Sequence, residues 1–190
     1  MILELVGLPG SGKTFLAPIL AKKHDMPVVS TNWFGERYLL ALLFFLTHFE
    51  LSCQMLRRVR IDTAPYPYLK RRKLRRFISI VAREQKARLL GKGLIDEGLF
   101  QYLITIYENE APAGEIEYFL GLLDRGIYRV YLLEVDDMTR ARRMAQRGKT
   151  PRAHMGPEYQ QHWQQISRKN FVRLKSLLLK QFNATVYNND

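Results

Sequence analysis

The sequence predicts an α/β fold in which helices cover both faces of a parallel β-sheet. Three observations carry this. Short apolar runs alternate with longer segments of helical periodicity from one end of the chain to the other. The first apolar run leads straight into a glycine-rich loop and then a helix. The most apolar stretch, Tyr38–Leu46, has nine residues before Thr47 and His48, against the roughly twenty a membrane span needs.

Met1–Val6 is short, apolar and followed by Gly, as a buried parallel strand would be. Lys13–His24 is a helix that begins inside the loop. Pro27–Ser30 is a second strand. Gly35 to Leu56 is one apolar helix, ended before the break at Ala64-Pro65-Tyr66-Pro67. Tyr68–Leu90 is a basic helix with Leu69, Leu74, Phe77, Ile78, Val81 and Leu89 near helical spacing. Gly93–Ile95 is a third strand and ends at Asp96-Glu97-Gly98. A helix to Glu108 and another over Glu115–Asp124 precede the fourth strand, Ile127–Val135. Asp136-Asp137 cap a helix to Arg147, and Gly148–Pro157 is a polar loop. Glu158–Gln181 is a long helix with Trp163, Ile166, Leu174 and Leu177 inward, and Ala184–Tyr187 is the last strand.

A chain of 190 residues supports one sizeable core, so residues 1–190 form a single domain. The lone Cys53 cannot form an internal disulfide, and the N-terminus lacks the basic n-region of a signal peptide. The expected location is cytoplasmic, at most peripheral to the inner membrane surface. Charge is concentrated: 13 Lys or Arg and 2 acidic residues lie between Arg57 and Lys92, placing +11 of the net +12 in 36 residues. Such a field draws anions.

Gly7, Gly12, Lys13 and Thr14 meet the pattern G-x-x-x-x-G-K-[ST] within Gly7-Leu8-Pro9-Gly10-Ser11-Gly12-Lys13-Thr14. Glycines let backbone N–H groups turn inward around phosphate oxygens, and the following helix aims its positive end at the same place. Lys13 suits the β- and γ-phosphates of ATP, and the Thr14 hydroxyl suits Mg²⁺. Pro9, Gly10 and Ser11 complete the cradle.

This loop, opening the chain after one strand, resembles that of the adenylate-kinase-like group of small P-loop kinases. The resemblance is specific in the loop and extends in outline over the chain. It implies a five-stranded parallel sheet in the order 2-3-1-4-5. It also implies an acceptor-binding insertion between strands two and three, here residues 31–92, and an arginine-bearing lid, here residues 136–157. Asp96 and Glu97 end the strand beside the first. A carboxylate there binds Mg²⁺ or takes the proton of an attacking hydroxyl; Asp96 is the first choice, Glu97 the second. Arg143 and Arg147, four apart on one helix face, match the R-x-x-x-R lid pattern of nucleoside and thymidylate kinases.

The basic run Lys70–Arg76 lies in the insertion, so Arg71, Arg72, Arg75 and Arg76 are candidate acceptor contacts. The expected activity is phosphoryl transfer from MgATP to a hydroxyl or phosphate of an anionic small molecule or saccharide-type acceptor. An anionic membrane surface is a further candidate partner for the apolar helix and its basic neighbour. Two other readings stand beside it: an NTPase that binds nucleic acid through the basic insertion, and a sulfotransferase-like protein. The complete G-x-x-x-x-G-K-T weighs against the last. The four histidines show no metal-ligand spacing.

Overall fold

The computed structural model describes residues 1–63, 67–146 and 153–188. β1 (Ile2–Val6) leads through the glycine loop into α1 (Lys13–Lys23). Three helices follow: α2 (Phe34–Thr47), α3 (Phe49–Asp62) and α4 (Pro67–Leu89). Then come β2 (Gly93–Ile95), α5 (Leu99–Thr105), α6 (Glu115–Gly121), β3 (Tyr128–Glu134), α7 (Asp137–Gln146), α8 (Pro157–Gln181) and β4 (Asn183–Asn188). The sheet is parallel with order β2-β1-β3-β4.

The sheet has four strands, not five. Pro27–Ser30 contributes a single parallel bridge, Val28 to Leu94, with Val29 N donating to Leu94 O and Leu94 N to Pro27 O, both 2.8 Å. The reason lies in the partners. β2 offers only three residues to pair. Pro27 has no N–H to give, and the Ser30 carbonyl accepts instead from Lys86 Nζ at 2.9 Å.

The apolar segment predicted as one helix is two, bent by 111° at His48. Thr47 Oγ1 donates to Leu43 O at 2.9 Å and lies 2.8 Å from His48 Nδ1, closing the end of α2 locally. His48 then stacks on Phe44, with ring centroids 4.4 Å apart. Among the described residues no single helix is long and apolar enough to cross a membrane.

β1 is buried along its whole length, as the central strand of a three-layer fold requires. Leu3 and Leu5 face α1, packing with Leu16 and Leu20. Ile2 and Val6 face the other way, toward α4, α5 and α8, where Phe44, Phe77, Phe100 and Leu174 fill the larger core. Burying a side chain of that size contributes about 1.5–3 kcal/mol. Glu4 shares the Ile2–Val6 face and is fully buried.

Candidate active site at the glycine loop

The loop 7–14 sits at the carboxyl end of β1, between the ends of β2 and β3. Gly10 (φ +89°) and Gly12 (φ +87°) hold left-handed backbone, which glycine adopts without steric cost. A Cβ on Gly10 would also lie 2.8 Å from the Arg140 side chain and carbonyl. The loop therefore packs directly on α7. Lys13 is buried, and its Nζ donates to Gly7 O at 2.6 Å. Thr14 is exposed at the first turn of α1. Gly7 N donates to Gln101 Oε1 at 2.9 Å, while Gln101 N donates to Glu4 Oε1 at 2.7 Å. Gln101 thus ties the loop to α5 and to β1.

A cavity of about 210 Å³ opens over residues 9–14 of the loop. α4 forms the facing wall with Arg72, Lys73 and Arg76. Glu97 closes the β2 side, Gln101, Tyr102 and Thr105 come from α5, and Met144 and Trp163 come from α7 and α8. A second cavity, about 420 Å³, lies on the other side of the loop between Leu8, Ser11, the end of β3, Arg140, Arg168 and Asn188.

The two carboxylates after β2 part company. Asp96 Oδ1 pairs with Arg83 Nη1 at 2.9 Å and lies off the cavity wall. Glu97 lines the cavity, 3.2 Å from Arg76 Nη2. The four candidate acceptor arginines divide in the same way. Arg72 and Arg76, one turn apart on α4, face the loop, and Arg71 and Arg75 are exposed and off the cavity wall. In the lid segment, Arg140 touches the loop and Met144 reaches the cavity. Arg143 is half-buried and off the cavity wall. Arg147 lies outside the described residues.

Several contributors have no motif to announce them. Lys73 belongs to the basic run yet is buried, with Glu108 Oε1 at 2.8 Å and Asp62 Oδ2 at 3.3 Å. It also donates to Ile106 O, and Glu108 N donates to Asp62 Oδ2. Tyr159 Oη on α8 donates to Glu108 Oε2 at 2.7 Å. The cluster joins α3, α4, the segment after α5 and α8 at the cavity wall, where Lys73 is a lining residue. Trp163 was legible as an inward residue of α8, but not as part of the cavity wall. Glu4 is visible in the sequence as a lone acid in an apolar strand. Burial pushes its carboxyl up to about 8, helped by the nearby Glu84 and opposed by the Gln101 N–H.

Among the described residues no group of three or more His, Cys, Asp or Glu is arranged to hold a metal ion. Mg²⁺ commonly takes one or two protein oxygens and completes its shell with water and phosphate. Thr14 and Glu97, on the cavity, fit that mode; Asp96, off the cavity wall, fits it less well.

No family model matches the chain, and no curated protein matches it. Solved structures of deoxyadenosine kinase from M. mycoides do. The form with bound dATP is 17% identical, covers 99% of this chain and 91% of that one, and superposes with a TM-score of 0.51. The form with bound dCTP is 16% identical over 99% and 90%, with a TM-score of 0.47. At the TM-score of 0.51 this chain is similar in fold to that deoxyadenosine kinase.

Proposed function

We propose that this chain is a MgATP-dependent phosphotransferase acting on a small acceptor that already carries negative charge. One observation carries the reading. Lys13 and Thr14 face Arg72, Arg76 and Glu97 across a single cavity, so a phosphate cradle, an anion clamp and a carboxylate converge on one space.

The roles follow from chemistry. The N–H groups of Gly10, Gly12, Lys13 and Thr14, with the Lys13 side chain, hold the β- and γ-phosphates. The second cavity, flanking Leu8 and Ser11, has room for the nucleoside part of the donor. Mg²⁺, held by Thr14 with Glu97 in reach, would neutralise charge between the phosphates. Arg72 and Arg76 hold the acceptor's anionic group. An acceptor hydroxyl oxygen bonds to the γ-phosphorus as the bond to the β–γ bridging oxygen breaks, releasing ADP. Its proton passes to Glu97, with Asp96 the alternative base. Among the described lid arginines Arg140 is the one packed on Gly10 of the loop; Arg143 and Arg147 remain candidates for the closed lid.

The acceptor skeleton has two candidates: a saccharide, or a nucleoside, as in the M. mycoides enzyme. Two cations on the acceptor wall favour a phosphorylated or carboxylated form of either. The test is phosphoryl transfer from labelled ATP to matched pairs of sugars and nucleosides with and without a phosphate. Turnover restricted to the anionic member of a pair is expected. Transfer to neutral nucleosides alone would reject the anionic-acceptor reading, and no transfer to any acceptor, with ATP bound, would reject the kinase.

A further inference from the structure

α2 is apolar on two opposite sides. Leu40, Ala41 and Phe44 point into the core. The other side shows Phe34, Tyr38, Leu39, Leu42, Leu46 and, just past the bend, Phe49, between 43% and 72% exposed. At 100° per residue the five helical positions span roughly 140° of the helix circumference, and none of the helix's charged residues falls inside that arc. Soluble surfaces seldom carry so continuous an apolar stripe without a partner.

The neighbouring surface states the partner's charge. Lys86 pairs with Glu36 and Phe77 meets Phe45, so α4 runs antiparallel to α2 and its first turns lie at the Leu46–Phe49 end of the stripe. There α4 exposes Lys70, Arg71 and Arg75, and α3, continuing from Phe49, exposes Arg57 and Arg60. None of the five has an acidic partner among the described residues. A second copy of the chain would bring five like charges against these five. An anionic bilayer offers hydrocarbon to the stripe and phosphate to the cations at once.

We infer that the α2 stripe with the outer cations of α3 and α4 is a docking surface for anionic lipid bilayers. Docking places the apolar edge of the α2–α4 insertion, whose inner side lines the cavity over the glycine loop, at the membrane. It does not depend on the phosphotransferase reading, since it uses none of the cavity residues.

Flotation with phosphatidylcholine vesicles, with and without about 30% phosphatidylglycerol, tests it directly. The full chain should bind the anionic vesicles and leave the neutral ones. Raising NaCl from about 0.15 M to about 0.5 M should weaken binding, because exposed charges are screened. Arg71→Ala/Arg75→Ala should weaken it roughly twenty-five-fold, about fivefold per cation lost near the surface. Leu39→Ser/Leu46→Ser should abolish it while the thermal midpoint stays near that of the wild type, which shows that the fold survives. Either of two results overturns the inference. One is absence of binding to anionic vesicles. The other is a solution mass of two chains that reverts to one in Leu39→Ser/Leu46→Ser, meaning the stripe is covered by a second copy.

Discussion

Seven of the thirteen cations between Arg57 and Lys92 meet a carboxylate. Arg58, Lys73, Arg76, Arg83, Lys86, Arg88 and Lys92 pair with acids drawn from α2, α3, β2's end, α6 and elsewhere. The other six, Arg57, Arg60, Lys70, Arg71, Arg72 and Arg75, meet none among the described residues. The first group holds the insertion to the sheet and shapes the cavity. The second is left for outside anions, with Arg72 turned to the cavity and the rest outward. Neighbours in sequence take different roles: Arg72 lines the site without an acidic partner among the described residues, Lys73 lines it from within a buried ion-pair cluster, and Arg75 faces solvent. A charge run is therefore resolved by helix phase, at 100° per residue, rather than by its density.

The strongest break in the comparison lies at the loop itself. Lys13→Ala removes the buried cation of the glycine loop, which under the proposed function holds the donor phosphates. Turnover is expected to fall by about 10³ or more, in the range of losing a preorganised charge contact, with ATP affinity also weakened. Single-turnover transfer and ATP titration measure the two. Undiminished turnover would falsify the phosphate-cradle assignment.

Next comes Lys73 against Arg75, two cations of the same run. Lys73→Ala leaves Asp62 and Glu108 buried together without their cation. Removing one partner of a buried ion pair costs about 3–5 kcal/mol. Arg75→Ala removes an exposed charge and should stay within about 0.5 kcal/mol. Urea unfolding of both variants checks the contrast, and equal effects would mean that the buried network does not hold α4.

How much of this the sequence revealed depends on the range of the signal. The loop, its flanking strand and helix, β3, and the inward face of α8 follow from local pattern, and the structure places them close to where the pattern puts them. The missing fifth strand and the broken apolar helix could not be read. Whether Val28 and its neighbours form a ladder depends on how long β2 is, and on Lys86, 56 residues from Ser30, taking the Ser30 carbonyl. The bend rests on Thr47 and His48 bonding locally, inside a stretch whose hydropathy looks continuous. The same holds at the site. Asp96 and Glu97 are adjacent and chemically alike; each pairs with an arginine of α4, and only the tertiary placement that turns Glu97 to the cavity and Asp96 away distinguishes them. Gln101 and Lys73 act through partners 94 and 33 residues away, which no spacing rule encodes.

A smaller effect sharpens the buried side of the comparison through pH. Glu4 ordinarily titrates at 4.5 and is pushed up to about 8 by burial. The folded chain thus keeps this proton between those values while the unfolded chain releases it. Stability contributed by Glu4 is full below 4.5, falls as pH rises through the window, and levels off above 8. Glu84, also raised by burial, acts in the same sense, lowering stability as pH rises. Between about pH 6 and 8 the loss should be on the order of 2 kcal/mol. Glu4→Gln keeps the acceptor for Gln101 N–H and removes the titration, so its thermal midpoint should change less over that range. A wild-type stability that rises from pH 6 to 8 would contradict the assignment.

The smallest expected effect separates the cavity-facing from the outward arginines most directly. Arg72 and Arg75 are three residues apart, both exposed and both without an acidic partner among the described residues, yet Arg72 lines the cavity and Arg75 does not. If the anionic group of the acceptor lies against the α4 wall, Arg72→Ala loses one charge-assisted hydrogen bond. Such a bond contributes about 1.5 kcal/mol or more, so the acceptor KM should rise roughly tenfold. The ATP KM should hold, because the donor phosphates rest on the loop across the cavity. Arg75→Ala should leave both constants unchanged. Steady-state kinetics at fixed saturating ATP and varied acceptor give the comparison, and repeating it at higher salt tests its electrostatic origin, since an exposed guanidinium is screened. Equal rises in acceptor KM for both variants would mean that the run acts as a diffuse positive field rather than as a clamp built by helix phase. No rise for Arg72→Ala would move the acceptor's charge to Arg76, whose pairing with Glu97 would then have to open as the acceptor enters.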